Sequence, residues 1–213
     1  VSSQLRPGIT VVVTTIPERA QLLGRAVTSV QKGTVLPHTL IVASDVFGVG
    51  AAITRTRGLE MVDTEWVAFL DDDDEFGEHH LQRLMEKQIE TGADMVFPWF
   101  YVMGGSDPFP DNFGREFDLA DPHQTTVTVL VRTEAALAVN GFLWEDGTDP
   151  LDPGQDEDGN RAGEEFHFAI KLARSGYKIA HLPERTWTWH HWMNGGQIGN
   201  TMGLPSRRAA QGT

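Results

Sequence analysis

The chain of 213 residues has no cysteine. Disulfides, thiolate zinc sites and cysteine nucleophiles are therefore excluded. Basic residues are scarce: 17 Lys and Arg stand against 30 Asp and Glu, a formal net charge of -13. Proteins that grip a duplex do so largely by neutralising phosphates with Lys and Arg, so nucleic acid is not an expected partner. No apolar run approaches the roughly 18 residues that a membrane span requires. Val1-Ser2-Ser3-Gln4 carries neither the basic nor the apolar stretch of a secretory leader. The expected localisation is accordingly cytoplasmic. Internal repeats and low-complexity linkers are also missing. What remains, 40% hydrophobic and 22% charged residues, suits one soluble globular domain with a sizeable core.

The first half alternates two kinds of pattern. Ile9–Thr15 (ITVVVTT) is β-branched and apolar, as a buried parallel strand is. Pro17 then opens a helix in which Leu22, Leu23, Ala26, Val27 and Val30 share one face, and Gly33 closes it. Leu40–Ala43 predicts a second strand, Ala51–Met61 a second helix and Trp66–Leu70 a third strand. Glu78–Thr91 predicts a helix stopped by Gly92, with His79 and His80 on its surface, and Met95–Val102 another strand. Pro98 implies that this strand is an edge or carries a bulge. Such alternation implies an α/β fold, a mostly parallel central sheet with helices on both faces. Ligands then bind beyond the carboxyl ends of the strands, where Thr15, Asp45 and Asp71 should converge.

The second half is less regular. Gly104–His123 reads as a loop, Thr125–Arg132 as a strand, Thr133–Val139 as a short helix ending at Asn140-Gly141, and Leu143–Gly163 as a long acidic loop. Glu164–Arg174 predicts a helix, and Lys178–Leu182 and Arg185–His190 two short strands flanking Pro183. Asp156, Asp158, Gly159 and Glu165 match parts of a calcium-binding EF-hand loop. Gly154 stands at the first ligand position and no amphipathic helix precedes it, so the match reads as coincidence.

Asp71-Asp72-Asp73-Asp74 follows the third strand directly. Four adjacent carboxylates repel one another, so an ordered run calls for a cation. Mg²⁺ and Mn²⁺ take hard oxygen ligands, typically one or two carboxylates plus substrate phosphates. The plain alternative is a solvated acidic turn. Trp187–Asn194 (WTWHHWMN) offers imidazole as a further ligand, from His191 or His190; a strand sends neighbours to opposite faces, so one of the two is expected to reach a metal. Otherwise these aromatic residues form a surface patch or an acceptor platform.

Five segments together resemble a known family. Trp66–Phe76 (WVAFLDDDDEF) is similar to the DxD region of the family 2 glycosyltransferases, inverting enzymes of the GT-A fold. Thr14–Arg19 resembles that family's first strand–helix junction, and Ala51–Leu59 (AAITRTRGL) its arginine-bearing helix. Leu130–Phe142 resembles the segment on the acceptor side. Gly163-Glu164-Glu165 with the following Phe166–Tyr177 resembles the helix whose acidic pair supplies the catalytic base. The elements lie in the family's order over most of residues 9–194.

The resemblance implies a single GT-A-type domain over 1–213: a nucleotide-sugar-binding half (9–103), an acceptor-binding half (104–194) and a C-terminal tail (195–213). It implies a metal-dependent, inverting transfer of a sugar from a nucleoside-diphosphate sugar, a UDP-sugar first, to a hydroxyl of a glycan, protein or small-molecule acceptor. Asp73 would be the direct Mn²⁺ (or Mg²⁺) ligand with Asp71 nearer the ribose, Asp72 and Asp74 being rivals within the run. His191, or else His190, would complete the metal site. Glu165, beside Glu164, would be the base; the family usually has Asp there, so the side chain is one methylene longer. Asp45 would accept an N–H from the nucleotide base, Arg57 would pair with phosphate or ribose, and Thr15, Pro17 and Arg19 would line the base pocket. Bland readings stand beside these: Glu164 and Glu165 as helix-dipole partners, Arg57 as a surface residue.

Two other functions compete. A phosphatase of the DxD type would carry its motif after the first strand and Thr or Val where Glu75 stands. A non-catalytic sugar-nucleotide or carbohydrate-binding module would keep the fold without turnover. Sugar nucleotidyltransferases want a glycine-rich loop after the first strand, and Thr15–Arg19 has no glycine.

Overall fold

The computed structural model describes residues 8–123, 125–143, 163–190, 192–194 and 197–199. Its centre is a seven-stranded sheet of order β2-β1-β3-β6-β5-β7-β4, made of β1 (Ile9–Thr15), β2 (Thr39–Ser44), β3 (Trp66–Asp71), β4 (Glu75–Phe76), β5 (Met95–Met103), β6 (Leu130–Arg132) and β7 (Ile179–His190). β1 runs parallel to β2 and β3, and β5 parallel to β7, whereas β6 is antiparallel to both β3 and β5, and β4 to β7. The long strands thus share one direction. The helices are α1 (Ala20–Gln31), α2 (Ala51–Leu59), α3 (His80–Thr91), α4 (Thr133–Ala138) and α5 (Glu164–Arg174). A separate hairpin pairs β8 (Trp192–Asn194) with β9 (Gln197–Gly199). The expected α/β class, with parallel long strands in the central sheet, is borne out.

Packing explains the pattern. Neighbouring residues of a strand point to opposite faces, yet every residue of β1 is buried, so both faces of the sheet are covered. Gly58 lets α2 lie directly on it: a Cβ there would meet Val12 Cγ1 at 2.5 Å and Ala43 Cβ at 3.2 Å. Beside Val12 in the register of β1 and β3, Phe69 packs edge-on to Phe142, with ring centroids 4.9 Å apart.

Three expectations need correction. β7 is continuous, not two strands around Pro183. The register steps from Phe97↔His181 to Trp99↔Arg185, so Pro98 and Pro183, which have no N–H to donate, fall together in one irregularity. β5 accordingly is an interior strand with a bulge and not an edge. Only Leu130–Arg132 of the predicted strand over 125–132 pairs. Before it, the Val129 N–H turns back to the Val127 carbonyl at 2.9 Å, a local bond that apolar–polar alternation cannot reveal. His80 is buried, not on the surface: its ring stacks on Phe76 at 3.9 Å and Nδ1 lies 2.8 Å from the Thr186 hydroxyl. Burial holds its pKa down, to about 3.

Among the described residues no helix is long and apolar enough to cross a membrane.

Candidate active site

The carboxyl ends of β1, β2 and β3 meet as the alternation implied. Thr14 pairs in register with Asp71 and Thr15 with Ser44. The Asp45 N–H donates to the Thr15 carbonyl at 2.9 Å and the Asp72 N–H to the Thr14 carbonyl at 3.2 Å. Thr15, Asp45, Asp71 and Asp72 therefore stand on one edge.

Each aspartate of the run has a different environment. Asp71 Oδ1 accepts the Thr14 hydroxyl at 2.8 Å and an Arg55 N–H at 2.8 Å. Burial pushes its carboxyl up, but Arg55 and Thr14 outweigh burial and hold it below the usual range. Asp72 faces inward, 1% exposed, accepting the Thr15 hydroxyl at 2.6 Å and facing Arg19 at 3.0 Å. Burial raises it to about 6 against the pull of Arg19. Asp73 pairs with Arg19 through its carboxylate, while its carbonyl accepts Arg25 at 2.6 Å. Burial nevertheless keeps the Asp73 carboxyl above its ordinary value. Asp74 is buried, and its Oδ1 accepts the backbone N–H of His190 at 3.0 Å. Burial, then the charges of Asp73 and Asp71, raise it well above the carboxylate range.

Across from this edge stands the first turn of α5. Glu164 is buried and accepts Arg55 Nη1 at 2.9 Å. Glu165, half-buried, follows it, and its carbonyl receives the Thr125 hydroxyl at 3.5 Å. Burial, reinforced by Glu164, pushes the Glu165 carboxyl up to about 8. Lys171 pins the helix to the turn after α4, donating to the carbonyls of Val139 (2.8 Å), Gly141 (2.7 Å) and Leu143. That turn forms where Asn140 and Gly141 take φ of 59° and 55°, a left-handed pair that ends α4.

The remaining expected site residues divide. Arg19 is on the aspartates. The Asp45 carboxylate receives the N–H groups of Val49 and Gly50, both at 2.9 Å, and so closes the loop that leads into α2. Pro17 and Arg57 are exposed. On a helix two residues apart are about 200° apart, so with Arg55 turned inward Arg57 points out. His190 Nε2 meets Glu75 Oε1 at 2.7 Å, and its Nδ1 is buried without a partner. Trp187 is buried against Phe100, 5.3 Å between centroids, not part of a surface patch. His191, the acidic stretch 144–162 with Asp156, Asp158 and Gly159, and the tail 200–213 lie outside the described residues. Sequence reasoning passed over Arg55, Arg25 and Thr14. The signal for Arg55 was present, an arginine in the helix of the resembling segment, but two candidates stood there and only packing chooses.

The donor set suits a hard divalent cation. Burial raises Asp73 and Asp74, and at Asp74 the charges of Asp73 and Asp71 add to it, so both carboxyl groups lack full compensation for their charge. The unpartnered His190 Nδ1 adds a nitrogen donor nearby. Among the described residues no three His, Asp or Glu side chains already form a cage. A Mg²⁺ or Mn²⁺ site that phosphate oxygens complete needs none.

Residues 40–117 match the family model described as "Glycosyl transferase family 2". The matched span holds Arg55 and Asp71–Asp74 but not Glu164 or Glu165. Solved structures with the same fold include S. aureus TarS 1-349, 15% identical with a TM-score of 0.64, over 84% of this chain and 59% of that one. The same protein in complex with UDP gives 15%, 0.66, 85% and 60%, and in complex with UDP-GlcNAc 14%, 0.67, 93% and 61%. The chain thus spans about 60% of the length of these structures. No curated protein matches the sequence.

Proposed function

We propose that this chain, with its family 2 glycosyltransferase segment, transfers a sugar from a nucleoside-diphosphate sugar to an acceptor hydroxyl with inversion at the anomeric carbon. The observation that carries the reading is the carboxylate cluster at the tips of β1 and β3 facing, across Arg55, a second carboxylate pair at the start of α5. A UDP-sugar is the first donor to test, because TarS structures of the same fold hold UDP and UDP-GlcNAc.

In this reading residues 9–103 bind the donor and 104–194 the acceptor. The acceptor oxygen attacks the anomeric carbon, the bond from that carbon to the diphosphate oxygen breaks, and the nucleoside diphosphate leaves. A single displacement inverts the centre. Glu165 takes the acceptor's proton as the new bond forms. Its raised pKa, about 8, makes it a stronger base than an ordinary carboxylate once ionised. Asp73 with one histidine, His191 or else His190, and Asp71 as a further donor would hold a Mn²⁺ or Mg²⁺ ion. Such an ion neutralises charge on the departing diphosphate. Asp71 and Arg19 orient the ribose and phosphates, and Thr15 and Asp45 shape the pocket for the base. The lack of cysteine fits a reducing, cytoplasmic setting.

The test is a thermal-shift screen of UDP-, GDP- and dTDP-sugars with Mn²⁺, followed by assay of nucleotide release with varied acceptors. Stabilisation by one donor and acceptor-dependent release support the reading. If no donor stabilises the fold and no nucleotide is released, the reading fails. Tight donor binding without any release points instead to a non-catalytic sugar-nucleotide-binding module.

A further inference from the structure

Arg55 is fully buried, yet its contacts reach segments far apart in the chain. Nη2 bonds Asp71 Oδ1 at 2.8 Å, 16 residues away, and Nη1 bonds Glu164 Oε1 at 2.9 Å, 109 residues away. One arm thus ends on the aspartate edge and the other on the first residue of α5. The guanidinium lies over the Phe142 ring, 4.9 Å from its centroid, and Phe142 stacks on Phe168 of α5 at 4.4 Å. A planar fork serves two carboxylates in different directions; a lysine ammonium on a flexible stem does not fix both.

We infer that Arg55 is the positioning residue for the Glu165 base: by holding Glu164 against Asp71, it sets where the first turn of α5 stands relative to the donor edge. Adjacent helical residues are about 100° apart. With Glu164 turned inward onto Arg55, Glu165 is therefore presented beside it and cannot share the anchor. One carboxylate of the pair holds and the other reacts. The inference rests on the functional reading above for what Glu165 does, but the brace itself is a matter of geometry. It also gives the unusual acidic pair two separate jobs, where a helix-dipole role would ask the same of both residues.

The test uses the whole chain with Glu164→Gln, which strips the charge from the arm to α5, and Arg55→Lys, which keeps the charge but loses the fork. Hydrogen exchange should quicken at least about tenfold in the first turn of α5 in both variants, with β1 and β3 unchanged. UDP titration should give the same affinity within about twofold for Glu164→Gln. With the donor and acceptor that the wild type turns over, the high-pH plateau of kcat should fall about tenfold to a hundredfold at nearly unchanged donor KM, as a small misplacement of the reacting group implies. The low-pH limb of kcat should move to lower pH, because Glu165 loses the like charge of Glu164 while Arg55 and Asp71 still face it. Unchanged exchange in α5 in both variants refutes the brace whether or not turnover is found. Quickened exchange with an unmoved plateau and limb refutes the positioning role and leaves a merely structural pair. A wild type without nucleotide release from any donor refutes the functional reading instead, a result visible before any variant is made.

Discussion

Side chains in the aspartate run are not interchangeable, and substitution should separate them. Asp73 carries the only carboxylate of the run that combines a raised pKa with a partly exposed position. Asp73→Ala is expected to abolish Mn²⁺-dependent donor binding; equal UDP affinity with and without Mn²⁺ in wild type and variant alike would remove the metal from the account. Glu165→Gln should keep donor binding and cut transfer about 10²- to 10⁴-fold, the usual yield of a positioned base. The same variant has a signature in stability. Folded Glu165 keeps its proton up to about pH 8, against an ordinary value of 4.5. Between those limits the folded chain binds more protons than the unfolded one, so the stabilisation present below about pH 4.5 is lost as pH rises through about 8. Glu165→Gln should therefore gain Tm over wild type at pH 8.5 and lose that gain at pH 4.5, measured by calorimetry at both values. If Glu165 is the base, kcat of the wild type should climb from pH 7 toward pH 9 as its carboxyl ionises.

Helices and strands carry a different kind of prediction, one set by fit. Gly58 sits inside α2, where alanine would ordinarily gain about 1 kcal/mol of helix propensity. Here the added Cβ would press on Val12 Cγ1 at 2.5 Å. Overpacking of this sort costs about 1–3 kcal/mol, so Gly58→Ala should lower the urea midpoint; a raised midpoint would mean that α2 does not lie as close to β1 as described. The same closeness is what brings Arg55 over the tip of β3. α5 has its own anchors, Lys171 on three carbonyls and Phe168 on Phe142. Its C-terminal part should thus stay ordered when the Arg55–Glu164 pair is cut. Removing the guanidinium altogether, as in Arg55→Met, leaves the buried Glu164 and the half-buried Asp71 without their cation and is expected to cost about 3 kcal/mol.

For the molecule as a whole, one sheet joins the aspartate edge to the strands that carry α5. Most of the family match, residues 40–117, falls in the half proposed to bind the donor, and Glu165, the proposed base, lies beyond it on α5. Binding that is confined to the folded state raises stability by mass action. A UDP-sugar at a hundred times its Kd should add about 2.7 kcal/mol to unfolding free energy, read from denaturant curves with and without donor. The excess of acidic side chains, net -13, makes the aspartate edge unwelcoming to a diphosphate unless a cation is present. Chelation by EDTA is expected to erase most of that stabilisation, and its persistence would assign the compensation to Arg19 and Arg25.

Much of this architecture was written in local pattern. The apolar run of β1, the periodic face of α1, the strand that delivers Asp71 to a sheet edge and the glycines that end helices are short-range features. Periodicity and backbone preference alone define them, and the resemblance to family 2 placed the carboxylates in order. Tertiary structure decided the rest, because it turns on which side chains meet across long separations. It chose Arg55 over Arg57, buried His80 and Asp72, bent Asp45 to its own loop, and set Pro98 beside Pro183 in one bulge. The join between Asp71 and Glu164 through a guanidinium 109 residues from one of them depends on how α2, β3 and α5 pack. No window of sequence contains that packing.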